Sequence, residues 1–430
     1  MHSSSNKQFQ VEGTVAPGFE SVKQLYEHNM QTLAEKNTQL CVYHEETKVV
    51  DLWASVTDDS NFSADSLINI FSSGKSFEAI AMASLVGKGL LKYSTRIIEH
   101  WPEFGSNGKE ALTVAELMRH EAGLAAFNTS LKTQDLLTEN IKLNNIGRII
   151  EDHPQKFRKD GESRREYHAI TRGWIVNEVF RRVDPAGRTI GEFLREDISS
   201  PLEVDAIIGV KQEELNRVSS VSTLGFGFQF VESLKPKFLK RKMEHNIFQI
   251  IRKLAPLVLA WRTTTGTPLP FEGMDGIGFF NEPAVAMGET PSAAANCSAR
   301  GLAKIAAMMA TGGKWDGTEY ITEAAWDALH ADPVEADMGF NTTFTQGGVA
   351  LFTPPSDKSS RLEKGLNAGR EGFYGWMGLG GSIFQWHPQH KVGFGYVPTS
   401  LNVLDIVNER GKAYQAEVLN CVEKMKGTTT

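Results

Sequence analysis

The chain has 430 residues, of which 41% are hydrophobic and 23% are charged, as in soluble globular proteins with one large core or two smaller ones. Its formal net charge of −7 argues against a nucleic-acid partner, because phosphate binding requires a concentrated basic surface. The composition favours a small-molecule ligand and gives no indication of oligomeric state.

Cysteine usage and the N-terminal sequence bear on the cellular compartment. Cys41, Cys297 and Cys421 are far apart and form no CxxC pair, which predicts reduced thiols rather than a disulfide framework or a zinc knuckle. The segment MHSSSNKQFQVEG lacks the basic start and apolar core of a secretory signal, and no stretch approaches the roughly 20 apolar residues of a membrane span. We therefore expect a cytoplasmic protein without a transmembrane segment.

Sheet signals lie at both ends of the chain. Apolar residues recur at helical spacing from Gly18 to Asn37, which predicts an amphipathic opening helix. Apolar runs on either side of a turn-like segment predict two hairpins, one from residues 40–43 and 49–54 and one from residues 381–386 and 392–397.

The middle of the chain, residues 93–294, shows mainly helical patterns and loops, and a closing helix is predicted from about Val403 to Met425. These patterns predict a split α/β domain, residues 1–92 and 295–430, with a mostly helical domain inserted at 93–294. Within the insert, basic and apolar residues alternate from 234 to 262. That segment could be a substrate lid, a membrane-surface helix, or a solvated helical pair packed on the body.

A serine followed three residues later by a lysine is a candidate nucleophile pair. On a helix the two side chains share a face, and burial lowers the pKa of the lysine so that it can accept the serine proton. The spacing alone is weak evidence, because the chain contains it at Ser4/Lys7, Ser106/Lys109 and Ser72/Lys75.

Context distinguishes Ser72 from the other two serines. It follows an apolar run and precedes a helical pattern, which predicts a helix N-terminus whose N–H groups can stabilise an oxyanion. Alternatively, Ser72 could simply cap that helix and Lys75 could be exposed.

Five further segments occur in a particular order: LINIFSSGK, WPEFGSNGKEALTVAELMRHEAGL, EYHAITRGWIVNEVFRRVDPAGRTIGEFLREDI, NCSARGLAKIAAMMATGG and GWMGLGGSIFQWHPQHKVGFGYV. Together they resemble the serine β-lactamase and penicillin-binding superfamily, in particular its class C β-lactamase-like and family VIII carboxylesterase branch, over residues 15–425. The resemblance implies an α/β (α+β type) fold, with an antiparallel sheet flanked by helices and an active site beside the helical domain. Residues 376–379 would form the edge strand that borders this site.

The resemblance also implies roles for residues at matching positions. Ser72 matches the nucleophile, Lys75 its activating partner, and Tyr167 the tyrosine that relays protons to the leaving group. A phenol has a pKa of about 10, so Tyr167 needs a nearby cation to favour phenolate, and Lys75 can supply it. Because the two groups would titrate together, the base role is not assigned to either. The backbone N–H groups of Ser72 and Leu379 match the oxyanion hole.

Two departures from the β-lactamase pattern concern the substrate. The third motif, normally Lys-Thr-Gly or His-x-Gly, aligns with Trp376-Met377-Gly378, and tryptophan lacks the charge that holds a β-lactam carboxylate. Trp376 offers an apolar wall and one N–H donor instead. Ala169 stands where an asparagine usually contacts the substrate amide, and its neighbour His168 could tune the pocket or face solvent. Both departures favour an ester.

Other polar residues are expected to be structural. His120 matches a family landmark and is expected to support a loop, and Arg300 is expected to be a hydrogen-bond hub. His387 and His390 have metal-ligand spacing, but they lie in a predicted turn, where such residues need not share a face. We expect neither a metal nor a cofactor.

The sequence therefore predicts a serine hydrolase that cleaves small acyl esters or thioesters through an acyl-enzyme on Ser72. Acyl transfer to an alcohol, thiol or amine is the main alternative, and a β-lactamase or a non-catalytic scaffold are further ones. A classical α/β-hydrolase is excluded because no G-x-S-x-G elbow occurs, and the H-E-x-x-H metal motif is also absent.

Overall fold

The computed structural model describes residues 9–57, 59–157, 164–252, 269–405 and 407–428. The strands in these ranges are β1 (Val11–Val15), β2 (Asn37–His44), β3 (Thr47–Ser55), β4 (Ile68–Asn69), β5 (Ala206–Ile207), β6 (Ser222–Thr223), β7 (Asn296–Cys297), β8 (Lys314–Trp315), β9 (Thr318–Glu319), β10 (Val334–Asp337), β11 (Asn341–Phe344), β12 (Ile383–His387), β13 (Val392–Pro398) and β14 (Ser400–Leu401). The α-helices are α1 (Glu20–Thr32), α2 (Lys75–Gly87), α3 (Val114–Met118), α4 (Thr138–Ile141), α5 (Asn145–Asp152), α6 (Thr171–Val183), α7 (Ile190–Phe193), α8 (Phe226–Leu234), α9 (Pro283–Met287), α10 (Ala299–Ala310), α11 (Glu323–His330), α12 (Arg361–Asn367) and α13 (Glu409–Thr428).

Five strands form the central antiparallel sheet, in the order β1-β3-β2-β13-β12. The two predicted hairpins are confirmed as β2–β3 and β12–β13, and the pairing of β13 with β2 joins the two ends of the chain. The edge strand β1 was not predicted, because it has a glycine at its centre. Gly13 has a φ of 97°, and a Cβ there would lie 1.9 Å from the Asp51 carbonyl oxygen.

Helix α10 covers one face of this sheet at very short range. A Cβ on Gly393 would lie 2.2 Å from the Ala307 backbone nitrogen, and one on Gly395 would lie 2.5 Å from the Ala299 carbonyl oxygen. The two glycines of β13 therefore let the helix backbone contact the strand directly.

Helices α1 and α13 cover the opposite face, where Tyr26 of α1 packs on Tyr414 of α13 with ring centroids 5.9 Å apart. Both predicted terminal helices exist, but their bounds differ from the prediction. Helix α1 ends at Thr32, because the chain turns extended at Leu33 before entering β2. Helix α13 begins only at Glu409: Asn408 has a φ of 51°, which interrupts a helix from Val403.

The region between residues 93 and 294 contains α3 to α9 and connecting loops, as the helical patterns predict. A small sheet ties it to the chain ends, since Ile68 of β4 and Ala206 of β5 both pair with Cys297 of β7. This junction directly precedes the Ser72 segment.

Of residues 234–262, where basic and apolar residues alternate in the sequence, the structure describes those up to Arg252. The prediction for the rest lies outside the described residues. In the described part, Phe238, Phe248 and Ile251 are exposed to solvent, whereas Met243 and Ile250 are buried. The interpretations of this segment stay predictions. No helix in the described part of the chain is long and apolar enough to cross a membrane.

Candidate active site

Ser72 lies in a 3-10 turn, Phe71–Gly74, that leads directly into helix α2. The turn is held by Asn69, whose Oδ1 accepts the Phe71 N–H at 2.8 Å, and Phe71 has a φ of 49°. Gly74 is required by the packing, because a Cβ there would lie 2.4 Å from the Pro291 carbonyl oxygen. Ser72 is partly exposed, although its neighbours Ser73 and Gly74 are buried. The fold thus presents its hydroxyl from a rigid turn.

Lys75 is buried at the first turn of α2 with its amine beside Ser72. Its Nζ lies 3.5 Å from Ser72 Oγ and donates to the carbonyl oxygens of Ala169 at 2.6 Å and Ser292 at 3.1 Å. A neutral amine has two N–H groups and one lone pair. If the two carbonyls take the N–H groups, the lone pair is left for the serine hydroxyl.

Tyr167 completes the cluster from the loop before helix α6. Its hydroxyl donates to Ser72 Oγ at 2.7 Å and accepts the Trp376 Nε1–H at 3.0 Å. The Lys75 Nζ lies 5.0 Å from the centre of its ring. The structure therefore brings Ser72, Lys75 and Tyr167 together, as the sequence predicts.

The pKa values of the two partners of Ser72 are shifted in opposite directions. Burial, opposed by the Glu78 carboxylate and assisted by Arg172, lowers the pKa of Lys75 to about 7. Burial raises the pKa of Tyr167 to about 12, despite its hydrogen bonds with Ser72 and Trp376. The expected shift of Tyr167 toward phenolate is thus not found, and Lys75 is the partner whose proton-accepting form is populated near pH 7.

The Trp376 segment differs from the predicted edge strand. Residues 376–379 form no regular strand; Met377 makes one isolated bridge to Ile383, and a 3-10 turn follows at Leu379–Gly381. The sheet edge itself is β12. Gly378 and Ser382 close the segment into a tight turn, since the Gly378 N–H donates to the Ser382 carbonyl at 2.9 Å.

Trp376 and Met377 have different surroundings. The Trp376 ring stacks on Phe352 and borders a cleft of about 290 Å³. Met377 is buried in the core, with its Sδ 3.4 Å from Arg370 Nη1. Trp376 thus offers the apolar ring that was expected there, whereas the Met377 side chain lies in the core, and substrate binding by this pair stays a prediction.

Leu379 is brought close to the Ser72 turn by a contact between Gly378 and Ile70. A Cβ on Gly378 would lie 2.3 Å from the Ile70 carbonyl oxygen and 1.9 Å from Ser382 Oγ. Ser382 Oγ itself donates to the Ile70 carbonyl at 2.6 Å. The segment that carries the Leu379 N–H is thus fastened to the turn that carries the Ser72 N–H.

His168 lies in the loop beside Tyr167 and does not face solvent, and its role in substrate binding stays a prediction. Its side chain is fully buried, its Nε2 accepts the Leu124 N–H at 3.1 Å, and its Nδ1 donates to the Glu166 carbonyl. Ala169 is exposed, and its carbonyl holds Lys75. His120 supports the same loop as expected, because its Nδ1 accepts the His168 N–H at 3.0 Å.

A buried ion pair that was not predicted from the sequence lies behind Lys75. Arg172 Nε donates to Glu78 Oε2 at 2.7 Å, and both side chains are fully buried. Arg172 also donates to the Lys75 carbonyl at 3.1 Å, while Ser292 Oγ donates to Glu78 Oε1. Glu78 could have been found three positions after Lys75 on the same helix face, but the partners Arg172 and Ser292 have no motif that marks them.

The remaining candidates have structural surroundings. Ser4 and Lys7 lie outside the described residues, and the Lys109 amine is held by the carbonyls of Ser106, Glu151 and His153. Arg300 pairs with Asp51 and Asp65, which agrees with the expected hub.

His387 Nε2 faces the Glu371 carbonyl, and no cluster of metal-ligating side chains occurs within the described ranges. All three cysteines are free and buried.

Comparison with known proteins places these observations in a family. The family model described as Beta-lactamase matches residues 22–416. The chain is 27% identical over 365 residues to the esterase/beta-lactamase LipL of Mycobacterium tuberculosis, covering 84% of this chain and 76% of that protein.

Two solved structures share the fold. A penicillin-binding protein homolog from Caulobacter crescentus has a TM-score of 0.73 at 24% identity, and a family VIII carboxylesterase has a TM-score of 0.72 at 23% identity. Each alignment covers 96% of this chain and 100% of the other. Since the family match spans most of the sequence, this protein belongs to the beta-lactamase family.

Proposed function

We propose that this protein is a serine hydrolase that cleaves small acyl esters through an acyl-enzyme on Ser72. The observation that carries the proposal is the convergence of two groups on one oxygen: the Tyr167 hydroxyl lies 2.7 Å, and the Lys75 amine 3.5 Å, from Ser72 Oγ. A nucleophile beside a base and a second proton carrier is the arrangement that acyl transfer requires.

In the proposed acylation, the neutral Lys75 amine accepts the proton of Ser72 while Oγ attacks the ester carbonyl carbon. The bond to the alkoxy oxygen then breaks, and that oxygen takes a proton from Tyr167. The lysine ammonium returns a proton to the phenolate, so the net products are an alcohol and acyl-Ser72. Water attacks the acyl carbon in the second half, and the same groups move protons in reverse.

The backbone N–H groups of Ser72 and Leu379 are proposed to hold the oxyanion. Support comes from the fastening of the Leu379 turn to Ile70, which keeps the two segments at a fixed separation. Donors fixed before the reaction need not reorganise as negative charge develops.

An ester is favoured over a β-lactam by the chemistry of Trp376. Its indole offers one N–H, and that N–H is engaged by Tyr167, so the position supplies no charge for a carboxylate. The relative LipL is described as both an esterase and a beta-lactamase, so both substrates belong in the test.

The three buried free thiols support a proposed cytoplasmic location, since reducing compartments keep cysteines unpaired.

The test is steady-state turnover of p-nitrophenyl acetate and butyrate and of a chromogenic cephalosporin. Wild type, Ser72→Ala and the matched control Ser106→Ala, from a second S-x-x-K pair, are compared. We expect ester turnover by wild type and by the control, its loss in Ser72→Ala, and much weaker cephalosporin turnover. Equal activity of wild type and Ser72→Ala would contradict the proposal. Turnover of a thioester only when an alcohol or amine acceptor is added would favour acyl transfer.

A further inference from the structure

Exposed apolar side chains are concentrated in one stretch of the described chain, Phe226–Arg252, which we call the basic-apolar segment. Nine large apolar side chains are exposed there, and they include every exposed phenylalanine of the described residues: Phe226, Phe228, Phe230, Val231, Leu234, Phe238, Leu239, Phe248 and Ile251. Phe226 is 80% exposed and Phe238 is 83% exposed. Single exposed apolar residues are ordinary, but a cluster of this kind marks an interaction surface.

Helix α8 of this segment buries polar residues and exposes apolar ones, the reverse of an ordinary surface helix. Its buried residues are Gln229, Glu232 and Ser233, whereas its phenylalanines face solvent. Gln229 Nε2 donates to the Leu224 carbonyl at 2.6 Å, and Glu232 accepts the Lys242 N–H at 2.9 Å. The polar face of α8 therefore forms hydrogen bonds with the adjoining chain, which leaves the apolar face outward.

The charge of the segment is opposite to that of the whole chain. It contains six basic residues, Lys235, Lys237, Lys240, Arg241, Lys242 and Arg252, and two acidic ones, Glu232 and Glu244. The complete chain has a net charge of −7. Positive charge interleaved with exposed phenylalanine complements a surface that offers negative charge above an apolar layer.

The segment is attached beside the candidate active site. Strand β6 pairs with β14, and the Lys242 carbonyl accepts the Ala34 N–H at 3.0 Å. Leu401 of β14 packs against Gly380, where a Cβ would lie 2.6 Å from the Leu401 Cβ. Gly380 directly follows Leu379, whose side chain is itself 41% exposed. The segment and the Leu379 turn are therefore connected through β14.

We propose that the basic-apolar segment docks this protein onto the surface of an anionic lipid bilayer. The phenylalanines enter the boundary between headgroups and acyl chains, and the lysines contact lipid phosphates and carboxylates. Charge complementarity favours this occupant over a symmetric dimer of this chain, because two copies that met through the same basic surface would repel each other. The proposal concerns attachment alone and does not rest on the reaction proposed for Ser72.

The experiment is flotation of the full-length protein with vesicles of phosphatidylcholine alone or mixed with phosphatidylserine. Wild type is expected to float with the mixed vesicles, less with phosphatidylcholine alone, and less again as salt is raised. The variant Lys237→Glu/Lys240→Glu is expected to bind mixed vesicles at least about tenfold more weakly. The variant Phe226→Ser/Phe238→Ser is expected to lose binding to both vesicles, and it should still fold because both side chains are already exposed.

The controls change an exposed lysine and an exposed apolar side chain elsewhere. Lys92→Glu replaces an exposed lysine outside the segment, and Leu143→Ser replaces an apolar side chain that is also exposed. Both are expected to float like wild type, and so is Ser72→Ala, since attachment does not use the nucleophile.

Three results would overturn the proposal. The first is that the wild type fails to bind mixed vesicles. The second is that the control variants lose as much binding as the segment variants. The third is unchanged flotation of Phe226→Ser/Phe238→Ser together with a shift from dimer to monomer by analytical ultracentrifugation, which would assign the surface to self-association.

Discussion

The placement of the Lys75 amine determines how the candidate site depends on pH. Two backbone carbonyls hold the amine while burial disfavours its charged form, and the pKa falls to about 7. The same burial raises the pKa of Tyr167, which therefore remains a phenol at that pH. One low-dielectric environment thus gives the site a neutral amine and a proton donor together.

The rate of ester cleavage should follow the deprotonation of Lys75. Because only the neutral amine can accept the serine proton, kcat/KM for an uncharged ester should increase about tenfold per pH unit below pH 7 and level off above about pH 8. Stopped assays from pH 5 to 9 measure this. A profile that is flat across pH 7 would contradict the assignment of Lys75 as base. Lys75→Arg keeps the charge at every pH and should lower kcat/KM by about 10² or more.

Glu78 should set the position of that pH profile. Its carboxylate raises the pKa of Lys75, so Glu78→Gln is expected to move the midpoint below pH 7. The activity at pH 6, as a fraction of the activity at pH 8, should therefore increase. The change also leaves Arg172 buried without its partner, at a cost of about 3–5 kcal/mol in unfolding free energy.

Glu289→Gln is the control for this effect. Glu289 is another fully buried carboxylate, bonded to Thr138, Thr189 and Asn177. It should lower stability without moving the midpoint. An unmoved midpoint in Glu78→Gln would show that the ion pair acts only on folding.

Among the elements, both hairpins and the two terminal helices were predicted from the sequence, whereas β1 and the irregular segments were not. Both hairpins have apolar runs of strand length, and burial of these runs in the sheet favours the strand conformation. The Trp376 segment and the start of α13 depend on individual backbone conformations, such as the φ of 51° at Asn408, which no periodic pattern records. The Ser72 turn was located because an apolar run, a family motif and a helical pattern adjoin there.

The turn after Trp376 offers a test at the scale of one element. Gly378→Ala would force the segment away from Ser382 Oγ and the Ile70 carbonyl, and would displace the Leu379 N–H. We expect kcat to fall about 10²-fold, as for loss of one oxyanion donor, while the far-UV circular dichroism spectrum stays unchanged. Gly365→Ala, in α12 with no atom near the added Cβ, is the control and should keep full activity. Full activity in Gly378→Ala would remove Leu379 from the proposed oxyanion hole.

In the whole molecule, the two ends of the chain are held together by the sheet and by a buried ion pair. Arg410 of α13 donates to both carboxylate oxygens of Glu35, at 2.7 and 2.8 Å, and also to the Gly380 carbonyl. One arginine thus links the closing helix, the segment before β2 and the turn after Leu379.

Removing that arginine should destabilise the whole fold. Arg410→Met leaves Glu35 buried and unpaired, and we expect the unfolding free energy in urea to fall by about 3–5 kcal/mol. The double variant with Glu35→Gln should recover part of that loss, because it removes the unpaired charge. Lys391→Met, which breaks an exposed pair with Glu45, is the control and should cost less than about 1 kcal/mol. Equal stability of Arg410→Met and Lys391→Met would contradict this account.

The arrangement of the whole chain was predicted in outline, because strand patterns at both ends and helical patterns between them restrict the topology. The domain boundaries at residues 92 and 294 stay a prediction. The outward orientation of the α8 phenylalanines could not be predicted from the sequence, since helical periodicity separates two faces without showing which one is buried.

Acylation of Ser72 can be measured by intact-mass spectrometry of the protein after brief exposure to p-nitrophenyl butyrate, followed by peptide mapping. We expect one added butyryl group, located on Ser72 and absent from Ser72→Ala, with a longer lifetime at pH 5 than at pH 8. An adduct on another residue, or ester turnover with no acyl group on Ser72 at any quench time, would contradict the proposed acyl-enzyme.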